Sequence, residues 1–170
     1  AALNAFPQSK VPLDGIEQHY LVVEGKGPNP APLLLLHGWP GSVFEFLEIL
    51  PRLTDPAAFG GDPADALTVV APSLPGFGLS FTPGQPRFGL EEMAETLSRL
   101  MREVLGYERY FLQGGDWGCF VTSQIAYSRP AEVLGLHLNL LPLRREPAMF
   151  EDPRPETQRY LGELNHWLKE

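Results

Sequence analysis

The sequence predicts an α/β fold with a mostly parallel, doubly wound sheet, and three observations predict it. Short apolar runs alternate along the chain with longer stretches of helical spacing. One run, Leu33-Leu34-Leu35-Leu36, is apolar at every position, as a parallel strand buried on both faces must be. Two runs lead straight into glycine-containing turns, His37-Gly38-Trp39-Pro40-Gly41-Ser42 and Gly114-Gly115-Asp116-Trp117-Gly118, where strand-to-helix connections are expected.

The elements follow in order. Ile16 to Val23 alternates as a strand before the turn-like Gly25-Lys26-Gly27-Pro28-Asn29-Pro30. Leu33 to Leu36 is the central strand, Gly41 to Leu53 carries helical spacing, and Leu67 to Ala71 is the next strand, ending at Pro72. From Leu90, the positions Met93, Leu97, Leu100, Met101, Val104 and Leu105 recur at three- and four-residue intervals, with Gly106 as C-cap. Arg109 to Leu112 is a strand, Trp117 to Arg129 a helix stopped by Pro130, and Val133 to Leu140 a further strand. Each crossover is expected to be right-handed. After Leu141, Pro142, Pro147, Pro153 and Pro155 interrupt a polar stretch that precedes an amphipathic run of Tyr160, Leu161, Leu164 and Trp167. Residues 1–141 therefore read as the amino-terminal part of a core domain and 142–170 as the start of a lid.

Composition narrows the function classes. With 170 residues, 44% apolar, 20% charged and a formal net charge of -8, the chain reads as one soluble globular unit. The acidic balance argues against a nucleic-acid or anionic-membrane partner, since Arg144-Arg145 is the largest basic pair. The single cysteine, Cys119, cannot close an internal disulfide, which fits a reducing compartment and an expected cytoplasmic location. Its position at a helix start suits a small core residue, although a helix N-terminus can also lower a thiol pKa. No run approaches the roughly 20 apolar residues of a membrane span, and Ala1 to Lys10 lacks the basic start and apolar core of a signal peptide.

The chemistry is concentrated at Asp116. A sharp strand-to-helix turn needs small residues on both sides of a nucleophile, and Gly114 and Gly118 meet that need. Serine is the usual occupant of the centre. A carboxylate there points instead to displacement at carbon through an ester, because carboxylates are ionised near neutral pH and attack without a base. The His37–Ser42 run lies at the carboxyl end of its strand, the edge where open α/β sheets hold ligands. The main-chain N–H groups of Trp39 and Trp117 are the candidate oxyanion donors, each worth roughly 2.7–4 kcal/mol in comparable sites.

These two motifs, together with Ala71-Pro72-Ser73-Leu74-Pro75-Gly76-Phe77-Gly78-Leu79-Ser80 between them, make the chain resemble the epoxide hydrolases of the α/β-hydrolase fold, in particular their microsomal-type branch. The start, Leu3-Asn4-Ala5-Phe6-Pro7-Gln8, resembles the junction that follows that branch's extra N-terminal segment. The resemblance covers about the whole chain. It implies that Asp116 attacks an epoxide ring carbon, that water activated by a His–carboxylate pair hydrolyses the ester, and that lid tyrosines protonate the ring oxygen. A vicinal diol is the implied product, epoxide and water the partners, and no cofactor is implied. Phe77 and Pro40 are the candidate substrate-binding residues. The family order places acid and His on loops after later strands, so both, with the lid tyrosines, are expected beyond Glu170. The substrate and oligomeric state are not legible.

Other candidates weigh less. His37 reads as structural, His19 as a surface histidine on an early strand, and His137 as a satisfied core histidine or a support for the site with Asn139. His166 falls in the lid helix, Tyr160 has packing-like spacing, and Tyr127 reads as core. Gly76-Phe77-Gly78 lacks the third glycine of a dinucleotide loop and reads as a tight turn lining the site. No His and carboxylate spacing resembles a metal ligand set. The enzymatic rival is a haloalkane dehalogenase of the same fold, in which indole N–H groups beside an Asp nucleophile hold halide. Such enzymes usually place Asn or Glu where this chain has Trp39. A reading of another class takes the 170 residues as a non-catalytic piece of the domain, with Val133–Leu140 left at a sheet edge.

Overall fold

The computed structural model of the chain describes residues 2–140 and 154–167. Among these, six strands form one sheet: β1 (Gln8–Leu13), β2 (Ile16–Val23), β3 (Ala31–Leu36), β4 (Leu67–Pro72), β5 (Tyr110–Gly114) and β6 (Val133–Leu138). Their order across the sheet is β1-β2-β4-β3-β5-β6. The pairs β1/β2 and β2/β4 are antiparallel, and β4/β3, β3/β5 and β5/β6 are parallel. The mostly parallel sheet is the one the apolar pattern predicts.

Strand β1 went unread in the sequence although its signal is present. Asp14 (φ 49°) and Gly15 (φ 81°) form a two-residue turn with both residues left-handed, and Leu13 pairs with Ile16 across it. Asp-Gly is the dipeptide such hairpin turns favour. Pro12, which has no N–H to give, is tolerated because β1 is the edge strand.

The all-leucine run of β3 serves two faces. Leu34 and Leu36 join Val70, Leu112, Met93, Leu97, Val121 and Ile125 in one core, while Leu33 and Leu35 join Val69, Ala71, Val43, Phe46 and Leu50 in the other. Side chains alternate along a strand, so a sheet covered on both faces requires apolar residues at every position. Leu34, Leu97, Leu100 and Ile125 are wholly buried, each worth roughly 1.5–3 kcal/mol relative to exposure.

The helices differ from their sequence boundaries in two places. The expected helix from Gly41 to Leu53 is a 3-10 turn, Val43–Phe46, capped by the Ser42 hydroxyl, followed by the short helix α1 (Leu50–Thr54). Pro51 near the start of α1 cannot donate to the turn before it, so one continuous helix is not formed. Helix α2 (Leu90–Arg99) widens into a π turn over Leu100–Val104, where the Leu105 N–H bonds the Leu100 carbonyl. Gly106 (φ 77°) ends it as expected. Helix α3 (Trp117–Ser128) follows the elbow, and α4 (Pro155–Trp167) contains the amphipathic run placed in the lid. The preceding part of that segment, with Arg144 and Arg145, lies outside the described residues.

Candidate active site

The register between β3 and β5 creates the site. Leu36 pairs with Gly114 in parallel register, so the chain leaves both strands at the same height and the loops beginning at His37 and Gly115 run side by side. Asp116 sits at the tip of the second loop with φ 49° and ψ −124°, a backbone conformation that L-residues seldom adopt. Strain of this kind is typical of a turn that projects a nucleophile.

The glycines around the elbow are there for close approach. A Cβ on Gly118 would stand 2.5 Å from the Leu36 carbonyl oxygen and 2.8 Å from that of His37, both rigid backbone atoms. A Cβ on Gly114 would strike the Gly118 carbonyl, and one on Gly38 would lie 2.5 Å from Oδ1 of Asp116. Gly38 was not singled out by sequence reasoning, yet its lack of a side chain is what admits the carboxylate.

The Trp39 main-chain N–H donates to Oδ1 of Asp116 at 2.7 Å. The distance is that of a charge-assisted bond. Trp39 is joined to Pro40 by a cis peptide bond. Trp117 opens α3, where the first N–H groups have no acceptor within the helix. Its ring packs at a tilt on Phe120, with centroids 6.1 Å apart. Both indoles reach solvent, Trp39 being 66% exposed and Trp117 41%.

A cavity of about 330 Å³ opens over the carboxylate, lined by Trp39, Pro40, Glu45, Gln113, Asp116 and Asn139 among others. Pro40 thus lines the same cavity as Asp116. Phe77 does not line this cavity. It is half-buried against the core, with its ring edge-on to His37 at a centroid distance of 6.4 Å. The turn around it is the tight one expected, with Gly76 (φ 85°) and Gly78 (φ 50°) both left-handed and the Phe77 N–H bonded to the Leu74 carbonyl at 2.8 Å.

His37 is structural. Its Nδ1 lies 2.9 Å from the Gly38 carbonyl, and its Nε2 accepts the Leu74 N–H at 3.0 Å. With Nε2 accepting, the proton resides on Nδ1 and donates to Gly38. The ring therefore ties the loop after β3 to the loop after β4, and burial lowers its pKa, keeping it neutral.

His19 corrects the sequence reading. It is 2% exposed, not a surface residue. Nδ1 lies 2.9 Å from the Ser73 hydroxyl and Nε2 3.1 Å from Oε1 of Gln8, and burial followed by the charge of Lys10 lowers its pKa to about 4. Beside it, Gln18 donates to the carbonyls of His19 and Ser73, each at 2.8 Å, and the Ser80 hydroxyl donates to the Ser73 carbonyl at 2.9 Å. This polar cluster fixes both ends of the Ser73–Ser80 turn.

Three further expectations change. His137 is exposed on β6, opposite Gln113 in register, rather than a core histidine. Tyr127 is 85% exposed, not core, and Tyr160 is 43% exposed. Cys119 is the small core residue: it is wholly buried, and burial, then the charge of Asp116, raises its thiol pKa against any nucleophilic role. Sequence reasoning missed Glu45 and Gln113, which lie four residues beyond Gly41 and three before Asp116; no spacing rule links either to the nucleophile.

A strand-turn-helix arrangement that holds a carboxylate at a strained elbow, with a facing main-chain donor from the loop after the neighbouring strand, defines a class. The chain belongs to the α/β-hydrolase fold family, whose description matches residues 31–167. Residues 1–46 also match the epoxide hydrolase N terminus, in the region where Leu3–Gln8 resembles the junction of that group. A putative epoxide hydrolase of Stigmatella aurantiaca is 45% identical over 163 residues, which are 96% of this chain and 37% of that protein. Epoxide hydrolase 1 of Oryctolagus cuniculus is 39% identical over 142 residues, 81% of this chain and 31% of that one. Among solved structures, juvenile hormone epoxide hydrolase from the silkworm Bombyx mori aligns with a TM-score of 0.72 at 41% identity, over 81% of this chain and 36% of that one. The epoxide hydrolase of Aspergillus niger aligns at 0.73 and 34% identity, over 92% and 39%. The chain spans about a third of the length of these curated relatives.

Proposed function

We propose that the protein acts as an epoxide hydrolase in which Asp116 is the nucleophile. The observation that carries this reading is the 2.7 Å bond from the Trp39 N–H to Oδ1 of Asp116 at the strained elbow. With Oδ1 so held, Oδ2 attacks a ring carbon and the carbon–oxygen bond of the strained ring breaks. Its electron pair passes to the ring oxygen, which takes a proton from an acid. Oδ1 becomes the ester carbonyl oxygen. Water then adds to that carbonyl, the negative charge collects on Oδ1 where Trp39 and Trp117 are the donors, and collapse frees the diol and the Asp116 carboxylate. The water needs a base and the ring oxygen an acid, and we assign both to residues other than those lining the Asp116 cavity.

The names of the relatives support an epoxide over a haloalkane as substrate. Diol formation from styrene oxide, with no halide released from 1,2-dibromoethane, is the expected pair of results for the full-length protein. Halide release without diol would establish the dehalogenase instead.

A further inference from the structure

Gln18 is a polar side chain where its strand calls for an apolar one. It shares a face of β2 with Ile16, Tyr20 and Val22 and is wholly buried. Its Oε1 is buried with no hydrogen-bond partner among the described residues, so the amide bonds its surroundings through nitrogen alone. Nε2 donates to the Ser73 carbonyl at 2.8 Å, and that carbonyl also takes the Ser80 hydroxyl at 2.9 Å. Tyr20 pairs with Pro72 at the end of β4, and Gln18, two residues back, thereby reaches the chain just past that strand.

The Ser73 carbonyl belongs to the same peptide as the Leu74 N–H, and in a trans peptide the two groups point in opposite directions. The Leu74 N–H donates to Nε2 of His37 at 3.0 Å, and Nδ1 of the same ring donates to the Gly38 carbonyl at 2.9 Å. That carbonyl shares its peptide with the Trp39 N–H, the donor to Oδ1 of Asp116 at 2.7 Å. Four hydrogen bonds therefore run head to tail, from Gln18 to Ser73, Leu74 to His37, His37 to Gly38 and Trp39 to Asp116. In every one the donor stands on the Gln18 side. The chain requires a neutral His37, since an imidazolium cannot accept the Leu74 N–H, and burial favours that form.

Two effects follow. A peptide bonded at both its carbonyl and its N–H has its plane fixed, and buried bonds in series polarise one another, each by roughly 10–30%. Both effects act on the Trp39 N–H, and the two half-reactions use that donor unequally. During attack Oδ1 gives up carboxylate charge as it becomes an ester carbonyl. When water adds to the ester carbon, the carbonyl electron pair moves onto Oδ1, and a well-aimed donor is needed most.

We propose that Gln18 is a positioning residue for the Asp116 reaction: by holding the Ser73 carbonyl it orients and polarises, through His37, the peptide whose N–H serves Oδ1 during ester hydrolysis. This rests on the reading of Asp116 as nucleophile. Ser80, the second donor to the same carbonyl, acts in the same direction.

The test compares wild type, Gln18→Met, which keeps the size and removes the donor, and Ser80→Ala in the full-length protein, with Asp116→Asn as control. Single-turnover formation and decay of the ester from styrene oxide are followed by quenching and mass spectrometry, and thermal stability is measured for each variant. Loss of a whole oxyanion donor costs about 10²- to 10³-fold, so a donor weakened at a distance should slow ester decay roughly 3- to 10-fold in Gln18→Met, with ester formation within about 2-fold of wild type. The ester then accumulates. Ser80→Ala is expected to shift the ratio of the two rates the same way by less. A wild-type rate of ester decay in Gln18→Met overturns the proposal, as does an equal fall in both steps, which is what a merely structural role would give. If Gln18→Met does not fold, a wild-type ratio in Ser80→Ala overturns it. If Asp116→Asn makes diol like wild type, the reading of the nucleophile has failed; if it forms no ester while Gln18→Met hydrolyses its ester like wild type, only the role of Gln18 has.

Discussion

At the level of single residues, Asp116 is placed by what its neighbours lack. Gly38, Gly114 and Gly118 leave room where a methyl group would meet the Asp116 carboxylate or rigid carbonyls. The buried histidines do the opposite work, filling space with satisfied polar atoms. His19 makes a pH prediction. Its folded pKa of about 4 lies below the ordinary 6.5, so the unfolded chain binds the proton more readily. Its contribution to stability is complete above pH 6.5 and is lost as the pH falls toward 4, at a slope of order 1 kcal/mol per pH unit. His37, whose pKa is also lowered, adds to the same trend. Urea denaturation of wild type and His19→Gln at pH 7.5 and 5 checks this: the wild type is expected to lose more stability between the two values than the variant does. Equal losses would show that His19 is not the group responsible.

The elbow at Asp116 and the Trp39 N–H that faces it were legible in the sequence because glycines on both sides of Asp116, directly after an apolar strand, are what a tight strand-to-helix turn demands. Glu45 was not. Its approach to the cavity depends on the break between the 3-10 turn and α1, and the sequence pattern reads that stretch as one helix. His19 was misjudged for a related reason: strand alternation gives the face of a residue but not the polar loop that covers it, here Ser73 and Ser80.

At the level of elements, the connections at the amino ends of β5 and β6 are held by a polar cluster remote from the site. The Ser98 hydroxyl donates to Oε2 of Glu132 at 2.7 Å, the Tyr110 hydroxyl donates to the same oxygen at 2.9 Å, and Arg102 bonds Oε1 at 3.1 Å. Burial pushes the Glu132 pKa up, but the Ser98 and Tyr110 hydroxyls with Arg102 and Arg129 outweigh it and hold it below its ordinary value. Burial also drives the Tyr110 hydroxyl far above its usual range. Removing the carboxylate leaves the buried Ser98 and Tyr110 hydroxyls, 2.8 Å apart, with each other as partner in place of Glu132. Glu132→Ala is expected to lose about 2–3 kcal/mol by chemical denaturation; Tyr110→Phe, which removes one donor and keeps the ring, about 1 kcal/mol. Indistinguishable losses for the two would show that the cluster is not organised around Glu132. The elements themselves were mostly legible, since β3, β4, α2 and α3 carry strong periodicity. The π turn at the end of α2 was not, because apolar spacing at three and four residues does not distinguish it from a plain helical end.

At the level of the whole molecule, Asp116 and the Trp39 N–H that bonds it lie together at the carboxyl edge of the sheet, while β6 forms one border of that sheet among the described residues. Beside it an apolar groove of about 720 Å³ runs along Leu33, Leu35, Phe111 and Leu136 and meets the Asp116 cavity at Glu45, Gln113 and Asn139. Leu134, Leu136 and Leu140 are each about 40% exposed or more in this region. The two half-reactions proposed here have different needs. Attack by Asp116 uses its carboxylate and the facing Trp39 N–H, with the ring oxygen able to take its proton from solvent, whereas ester hydrolysis uses a base that we assign outside the Asp116 cavity.

The central claim, that Asp116 carries the reaction as an ester, is tested most directly by mass spectrometry of residues 1–170 after exposure to styrene oxide. One adduct per chain, of the mass of the intact epoxide, is expected on the peptide that contains Asp116. It should be absent from Asp116→Asn once deamidation of that variant has been excluded. An adduct elsewhere, or an adduct that persists in Asp116→Asn, would contradict the claim.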